Sequence, residues 1–361
     1  MTQKAIPCLF MRGGTSRGPF FRKSDLPGDP QERARILLAV VGSPDPRQIN
    51  GLGGGDTLTS KVAMIAPSQR DGVDIDYLFA QVSVETAYVD TKPSCGNMLS
   101  GVGPAAIEMG MVQAEDGETR IVVYNENTGS RIETIIQTPG REVRYDGDTE
   151  IDGVAGSGAP IVMNFRDIVG SKTGALLPTG DPTEVIQGVE VSCVDVATPM
   201  VLMRAEDFGL TGEESADQVS TDARLRESVE SIRREAGVRM GLGEVCDIVI
   251  PKVGLLMEPN SGGDIRSWYL TPHTLHAAHA VTGAICIASA ATVDGTLAHR
   301  FARPSKANPR NFYIEHPTGE ISVRLKTKNN GGSLDFVAET VRTARLIMRG
   351  DVMVPDRLAR A

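Results

Sequence analysis

Aromatic residues are scarce in this chain, at 4% with a single Trp, and long apolar runs are missing altogether. No stretch approaches the ~20 consecutive apolar residues that cross a bilayer. The N-terminus lacks the basic and apolar regions of a signal peptide. Membrane partners are therefore excluded, and a cytoplasmic address is expected. Five cysteines are scattered without a CxxC pair. That pattern fits reduced thiols and excludes a disulfide framework or a zinc ribbon. Cys8, Cys193, Cys246 and Cys286 lie in apolar stretches and read as small core hydrophobes. Positive charge is also in deficit: the formal net charge is -9. Nucleic acid and anionic surfaces would not be drawn to the average surface, although a small anion in a locally basic cleft remains compatible. Of His273, His276, His279, His299 and His316, only His276 and His279 are three apart, and no acidic residue joins them at ligand spacing. No metal site is expected.

What the chain does have is length and turns. Its 361 residues allow two domains at roughly 100–200 residues each. With 40% hydrophobic residues it can build a core, and 39 Gly and 21 Pro suit short strands joined by turns. Alternation or β-branched content marks strands at Ile6–Phe10, Tyr77–Val84, Ile121–Tyr124, Arg131–Gln137, Val189–Val196 and Ile321–Lys326. Helices are expected at Pro30–Gly42, behind an Asp29 cap, and at Asn97–Met109, which is small and apolar nearly all round. A third, Thr221–Met240, turns Leu225, Val229, Ile232, Ala236 and Met240 inward and its Arg and Glu outward.

The two halves repeat one another. Helix, strand, Thr128-Gly129 turn and strand recur about 190 residues later, around a helical stretch near His276–Ala291 and a Thr318-Gly319 turn. Ile6-Pro7-Cys8 similarly echoes Val191-Ser192-Cys193. An internal duplication follows, with domains 1–184 and 185–339, a boundary near 182–188, and a tail 340–361 able to rejoin the first domain. A cleft between two such domains is a favoured ligand site.

Four segments carry donor or proton-transfer chemistry. Met11–Gly18 offers N–H groups, the hydroxyls of Thr15 and Ser16, and the guanidinium of Arg17 to a carboxylate; a hairpin turn with solvated arginines is the plain alternative. Gly51–Lys61 matches neither a P-loop nor a dinucleotide fingerprint. Its Gly54, Gly55, Asp56 and Thr57 can line an anion, and Lys61, entering the apolar Val62–Ile65, would lose solvation and so basicity. Cys95-Gly96-Asn97 opens a helix, with Cys95 34 residues after Lys61. A cysteine there has its thiolate favoured, and Gly96 and Asn97 leave N–H groups for a carboxylate. A buried structural cysteine is the alternative. In the second half, Arg266 follows Ser261-Gly262-Gly263, and His276 or His279 could mirror Cys95, though a histidine satisfied by packing is the simpler reading. A serine hydrolase has little support.

Together, Met11–Gly18, Ile49–Lys61, Asp76–Gln81, Cys95–Gly103, Asn127–Gly129 and the Arg342–Pro355 tail resemble the PrpF-like isomerases, which share the diaminopimelate epimerase fold. The resemblance implies an α+β protein of two similar domains. In each, a curved sheet or barrel wraps a central helix, and the active site lies in the interdomain cleft. It implies that Lys61 and Cys95 are the catalytic pair. Gly14, Thr15, Ser16, Arg17, Gly54, Gly55, Asp56, Thr57, Gly96, Asn97, Arg266 and His279 would then contact substrate. Gly51–Lys61 with Asp76–Gln81 is most similar to the 4-oxalomesaconate tautomerase subgroup of gallate and protocatechuate catabolism, and 2-methylaconitate cis–trans isomerases are the nearest rivals. The expected partner is a small di- or tricarboxylate and the expected cofactor is none; a homo-oligomer is left open. A symmetric two-thiol epimerase is disfavoured because no cysteine opens the second helix. A carboxylate-binding protein without catalysis is the reading from another class.

Overall fold

The computed structural model describes residues 3–246, 248–271, 275–330 and 333–355; His273 lies outside the described residues. The chain divides into two compact units, Met1–Met163 together with Val341–Ala361, and Asn164–Thr340. The division comes ahead of the boundary expected near 182–188 because the preceding segment is fastened to the second unit. Val169 bridges to Val196, and the Asp195 carboxylate accepts from Ser171 Oγ and from the N–H groups of Lys172 and Thr173.

In the first unit, strands β1 (Gln3–Gly13) and β2 (Ser16–Arg22) form an antiparallel hairpin. β2 runs parallel to β3 (Lys61–Pro67), β3 antiparallel to β4 (Ile75–Val82), β4 parallel to β5 (Gly117–Asn125), and β5 antiparallel to β6 (Ser130–Thr138). The last strand of the chain, Ala344–Pro355, pairs along the whole of β1, from Gln3↔Pro355 to Gly13↔Ala344. Helix α1 (Pro30–Val41) starts where Asp29 accepts from the N–H groups of Gln31 and Glu32, and stops at Gly42 in the left-handed region. It buries Ile36, Leu37, Val40 and Val41 against Phe21, Val62, Met64 and Ala80.

The expected helix Asn97–Met109 is two shorter ones, α2 (Gly96–Leu99) and α3 (Val102–Glu108). Pro104 has no N–H to give the Ser100 carbonyl, so the chain tightens at Ser100 and Gly101, whose N–H groups bond Asn97 O and Met98 O instead. Both helices are enclosed by the sheet. A Cβ at Gly101 would lie 2.7 Å from Phe20, and one at Gly103 2.6 Å from Ile136.

The second unit repeats this order. β7 (Val189–Val196) and β8 (Thr198–Arg204) are antiparallel, β8 is parallel to β9 (Lys252–Met257), and β9 is antiparallel to β10 (Ile265–Leu270). β10 is parallel to β11 (Arg310–His316), which is antiparallel to β12 (Gly319–Asn330). The duplication read from the sequence is thus a repeat of strand direction as well as of motif, and the fold is that of the diaminopimelate epimerase group. The central helix α5 (Val281–Ala290) is buried at every residue. Ahead of it, α4 (Ala223–Arg239) begins two residues later than expected because Asp222 caps it, accepting from Leu225 N.

Two expectations need correction here. Arg233 does not face solvent with the other charges of α4 but is wholly buried. It pairs with Glu230 at 2.6 Å and donates to the carbonyls of Val245, Ile248 and Ile250, which offset the desolvation of its charge. Cys246 is exposed, whereas Cys8, Cys193 and Cys286 are core residues. Among the described residues no helix is long and apolar enough to cross a membrane.

Leu255 and Trp268 are cross-strand partners in the core of the second unit. Leu255→Ala is expected to cost about 2–5 kcal/mol. A lower urea midpoint in the fluorescence of Trp268, the only Trp in the chain, would register that loss.

Candidate active site

Lys61 begins β3 and is only 8% exposed. Its cross-strand partner in β4 is Gln81, and Nζ donates to Gln81 Oε1 at 2.5 Å. The Gln81 amide is held in turn: Nε2 donates to Ser60 O at 3.0 Å and to Thr57 O at 3.1 Å. The Phe79 ring lies 5.3 Å from Nζ. Burial lowers the Lys61 pKa, while the negative charges of Cys95 and Asp56 pull the other way. Lys61 therefore lies within electrostatic reach of Cys95. The two residues picked from sequence stand together, and the sequence reading missed the glutamine that orients one of them.

Cys95 is the N-cap of α2 and is partly exposed. Its sulfur accepts from Met98 N at 3.5 Å. The segment leading to it is tied down by polar side chains. Asn125 donates to Ser94 Oγ at 2.6 Å, Asn127 donates to Thr91 O at 2.6 Å, and Tyr77 reaches Cys95 O at 3.4 Å. Asn127 also exchanges hydrogen bonds with both backbone groups of Phe79. Burial, and then the Cys95 charge, push the Tyr77 hydroxyl well above its usual pKa, so it stays protonated.

The glycine-rich segments converge on the same pair. Gly14, at φ +52°, meets Asn97 so closely that a Cβ there would lie 2.2 Å from Asn97 Oδ1. Asn97 Nδ2 donates to Thr15 Oγ1 at 2.9 Å. A Cβ at Gly18 would lie 1.8 Å from Lys61 O, which seats β2 against the start of β3. Arg17 packs its guanidinium beside Gly54 and 5.6 Å from the Phe10 ring. Gly55 N donates to Gln48 Oε1, and Asp56 accepts from Leu58 N. Thr57 contributes its carbonyl to Gln81. Gln48, buried and at φ +48°, fixes this loop from Ser43 to Ser60, and no sequence pattern marks it. Ser16 Oγ and Asn97 Oδ1 are buried with no hydrogen-bond partner among the described residues. Gly14–Gly18 formally spells G-x-S-x-G, but Ser16 opens a strand after a hairpin turn, not a helix after a nucleophile elbow.

Arg266 and His279 belong to the second unit. Arg266 donates to Gly212 O at 2.5 Å, lies 5.9 Å from the Trp268 ring, and pairs across the sheet with Glu315. In the turn ahead of Arg266, the N–H groups of Asn260, Ser261 and Gly263 are taken by Glu315. Those three hydrogen bonds and Arg266 hold the Glu315 carboxyl below its usual pKa against the effect of burial. His279 sits one residue before the N-cap of α5, its ring 5.0 Å from Tyr269. Register leaves the second unit without a counterpart of Lys61. Tyr77↔Asn125 in the first unit matches Arg266↔Glu315 in the second, which sets Lys61↔Gln81 against Val253↔Leu270. Among the described residues, no three His, Cys, Asp or Glu side chains are grouped to hold a metal.

Residues 3–355 match the family model described as PrpF protein. A 4-oxalomesaconate tautomerase of Pseudomonas putida is 45% identical over 357 residues, covering 98% of this chain and 97% of that protein. A (4E)-oxalomesaconate Delta-isomerase of Novosphingobium sp. is 45% identical over 350 residues, covering 97% and 98%. Among solved structures, a methylitaconate-delta-isomerase superposes with a TM-score of 0.78 at 35% identity, covering 100% of this chain and 98% of that one.

Gly14→Ala forces a side chain into the Asn97 amide at a left-handed position, and is expected to cost about 1–3 kcal/mol. Thermal unfolding should show the loss. Gly28→Ala, where a Cβ meets nothing within 4 Å, should leave the midpoint in place.

Proposed function

The chain belongs to the PrpF family and is an isomerase, and from that premise we propose that it moves a proton within 4-oxalomesaconate by Lys61 and Cys95. The observation that carries the reading is the pair itself: a buried lysine, its pKa lowered by burial, within the field of a cysteine at a helix start. Burial shifts Lys61 toward the neutral amine, and on this reading Lys61 is the base. It takes a proton from the carbon beside the α-keto group, and the electron pair of that C–H bond spreads into a dienolate. Cys95, as thiol, gives a proton to the carbon two positions away. One C–H bond breaks, another forms, and the double bond moves between them; proton transfer back from ammonium to thiolate resets the pair. Keto–enol tautomerisation shares the first step and differs in where the proton returns.

The anionic intermediate needs donors in place before it forms. Ser16 Oγ is one such donor, buried and without a partner among the described residues. The guanidinium of Arg342 is another. It is 6% exposed, burial pushes its pKa down to about 10, and among the described residues its one hydrogen bond goes to Val341 O. It precedes Thr343, whose carbonyl receives Gly14 N–H. An α-keto group is already acidifying, so the reading needs no metal or organic cofactor. The setting proposed is the cytoplasm, in the breakdown of gallate and protocatechuate.

Proton NMR in D2O with 4-oxalomesaconate, run beside cis-aconitate and 2-methylaconitate, tests this. Deuterium should enter the first substrate, and Lys61→Ala and Cys95→Ser should each lose about 10²–10⁴-fold in exchange. Exchange with 2-methylaconitate alone would reassign the substrate. Wild-type rates in Cys95→Ser would remove the thiol from the mechanism.

A further inference from the structure

A lysine that works as a base must be kept neutral and aimed, and its closest polar neighbour decides both. Two charged groups act on Lys61, and each comes from a different segment. From the loop before β3 comes the Asp56 carboxylate, engaged by Leu58 N at 2.6 Å. From the start of α2 comes Cys95. β2 brings Gly18 against the Lys61 carbonyl, and β4 places Phe79 and Gln81, both uncharged, beside Nζ. The one hydrogen bond to Nζ among the described residues thus ends on a neutral oxygen. The orientation of that amide is fixed by its other end, because turning it over would face Oε1 toward the carbonyls of Thr57 and Ser60 and its NH₂ toward the lysine.

We infer that Gln81 is a positioning residue for Lys61. Its clamped amide oxygen takes one N–H of the amine, leaves the lone pair free for substrate, and adds no negative charge that would hold the ammonium form. A carboxylate at the same place would keep the hydrogen bond and reverse the electrostatics. The inference rests on Lys61 being the base, so its test reads the lysine separately from the reaction.

Gln81→Glu and Gln81→Met are compared with the wild type in two measurements. One is the pH dependence of kcat/KM for deuterium exchange. The other is the pH dependence of Lys61 acylation by trace acetic anhydride, followed by mass spectrometry of the Lys61 peptide. A neutral base loses activity as pH falls through its pKa, so stabilising the ammonium moves the acidic limb upward. Gln81→Glu is expected to raise both the acylation midpoint and the acidic limb by about 1–3 pH units. At a fixed pH below the limb that is a tenfold loss per unit, recovered at higher pH. Gln81→Met should lower kcat with little change in KM and no upward shift of the limb, the pattern of a misaimed base. An unmoved acylation midpoint in Gln81→Glu overturns the inference, while loss of exchange in Lys61→Ala would leave the lysine's own role standing. A midpoint that moves while the rate limb stays put removes Lys61 as the base, and the inference with it.

Discussion

The first hairpin can rest on the start of the buried helix only because its turn carries almost no side chains. Gly13 and Gly14 lie against the carbonyl and amide of Asn97, and Gly18 lies against the carbonyl of Lys61, all at separations where a Cβ would overlap existing atoms. Backbone contact of this kind fixes β1, β2, the start of β3 and the start of α2 in one block. Lys61 and Cys95 are side chains of that block, so their separation is set by close-packed backbone and not by flexible reach. Thr15 and Asn97 lock the same corner through one hydrogen bond. The proton transfer proposed for them would need the two side chains held to fractions of an ångström, and rigid elements supply that better than loops do.

Placing a lysine in such a block has a cost, since a buried ammonium gives up its hydration. The first unit meets that cost with amide groups in place of carboxylates: Gln81 on the lysine, Gln48 on the loop, Asn125 and Asn127 on the cysteine segment. Neutral partners satisfy hydrogen bonds without fixing a protonation state. The second unit, built to the same strand order, takes the other course. Its Glu315 is neutralised by Arg266 and three N–H groups, and the register positions of Lys61 and Gln81 are filled by Val253 and Leu270. One copy of the duplicated fold retains a titratable pair; the other has spent its polar groups on holding itself together.

Much of this was legible because it depends on residue type in sequence order. The Gly51–Lys61 loop, the cysteine at the helix start and the Thr-Gly turns are local patterns with local causes. β3, β9 and β10 were harder to see, since strands buried on both faces show no alternation. Their residues Val62–Ile65 and Val253–Leu256 read equally well as core helix until a sheet claims them. Gln81 could have been noticed as a polar residue ending an apolar run. Gln48 could not, for its value lies in a positive φ and in bonds to residues far along the chain. The helix break at Ser100 follows from Pro104, a signal present in the sequence and outweighed by the run of small apolar residues around it. Arg233 shows the converse limit: its carbonyl partners come from the segment 245–250, and nothing in the helical spacing announces them.

The pairing of β1 with Ala344–Pro355 carries a consequence for how the molecule is made. The strand that opens the chain waits for the strand that is synthesised more than three hundred residues later. Until then β1 has one neighbour, β2, and its other edge is bare. Residues 164–340 can meanwhile complete their own sheet around α5, because their strand partners all emerge before the last strand does. Assembly by this route reverses the order of synthesis, with the half that bears Lys61 and Cys95 finished last. Closing so long a loop is slow, and an unsatisfied strand edge invites other chains during the delay.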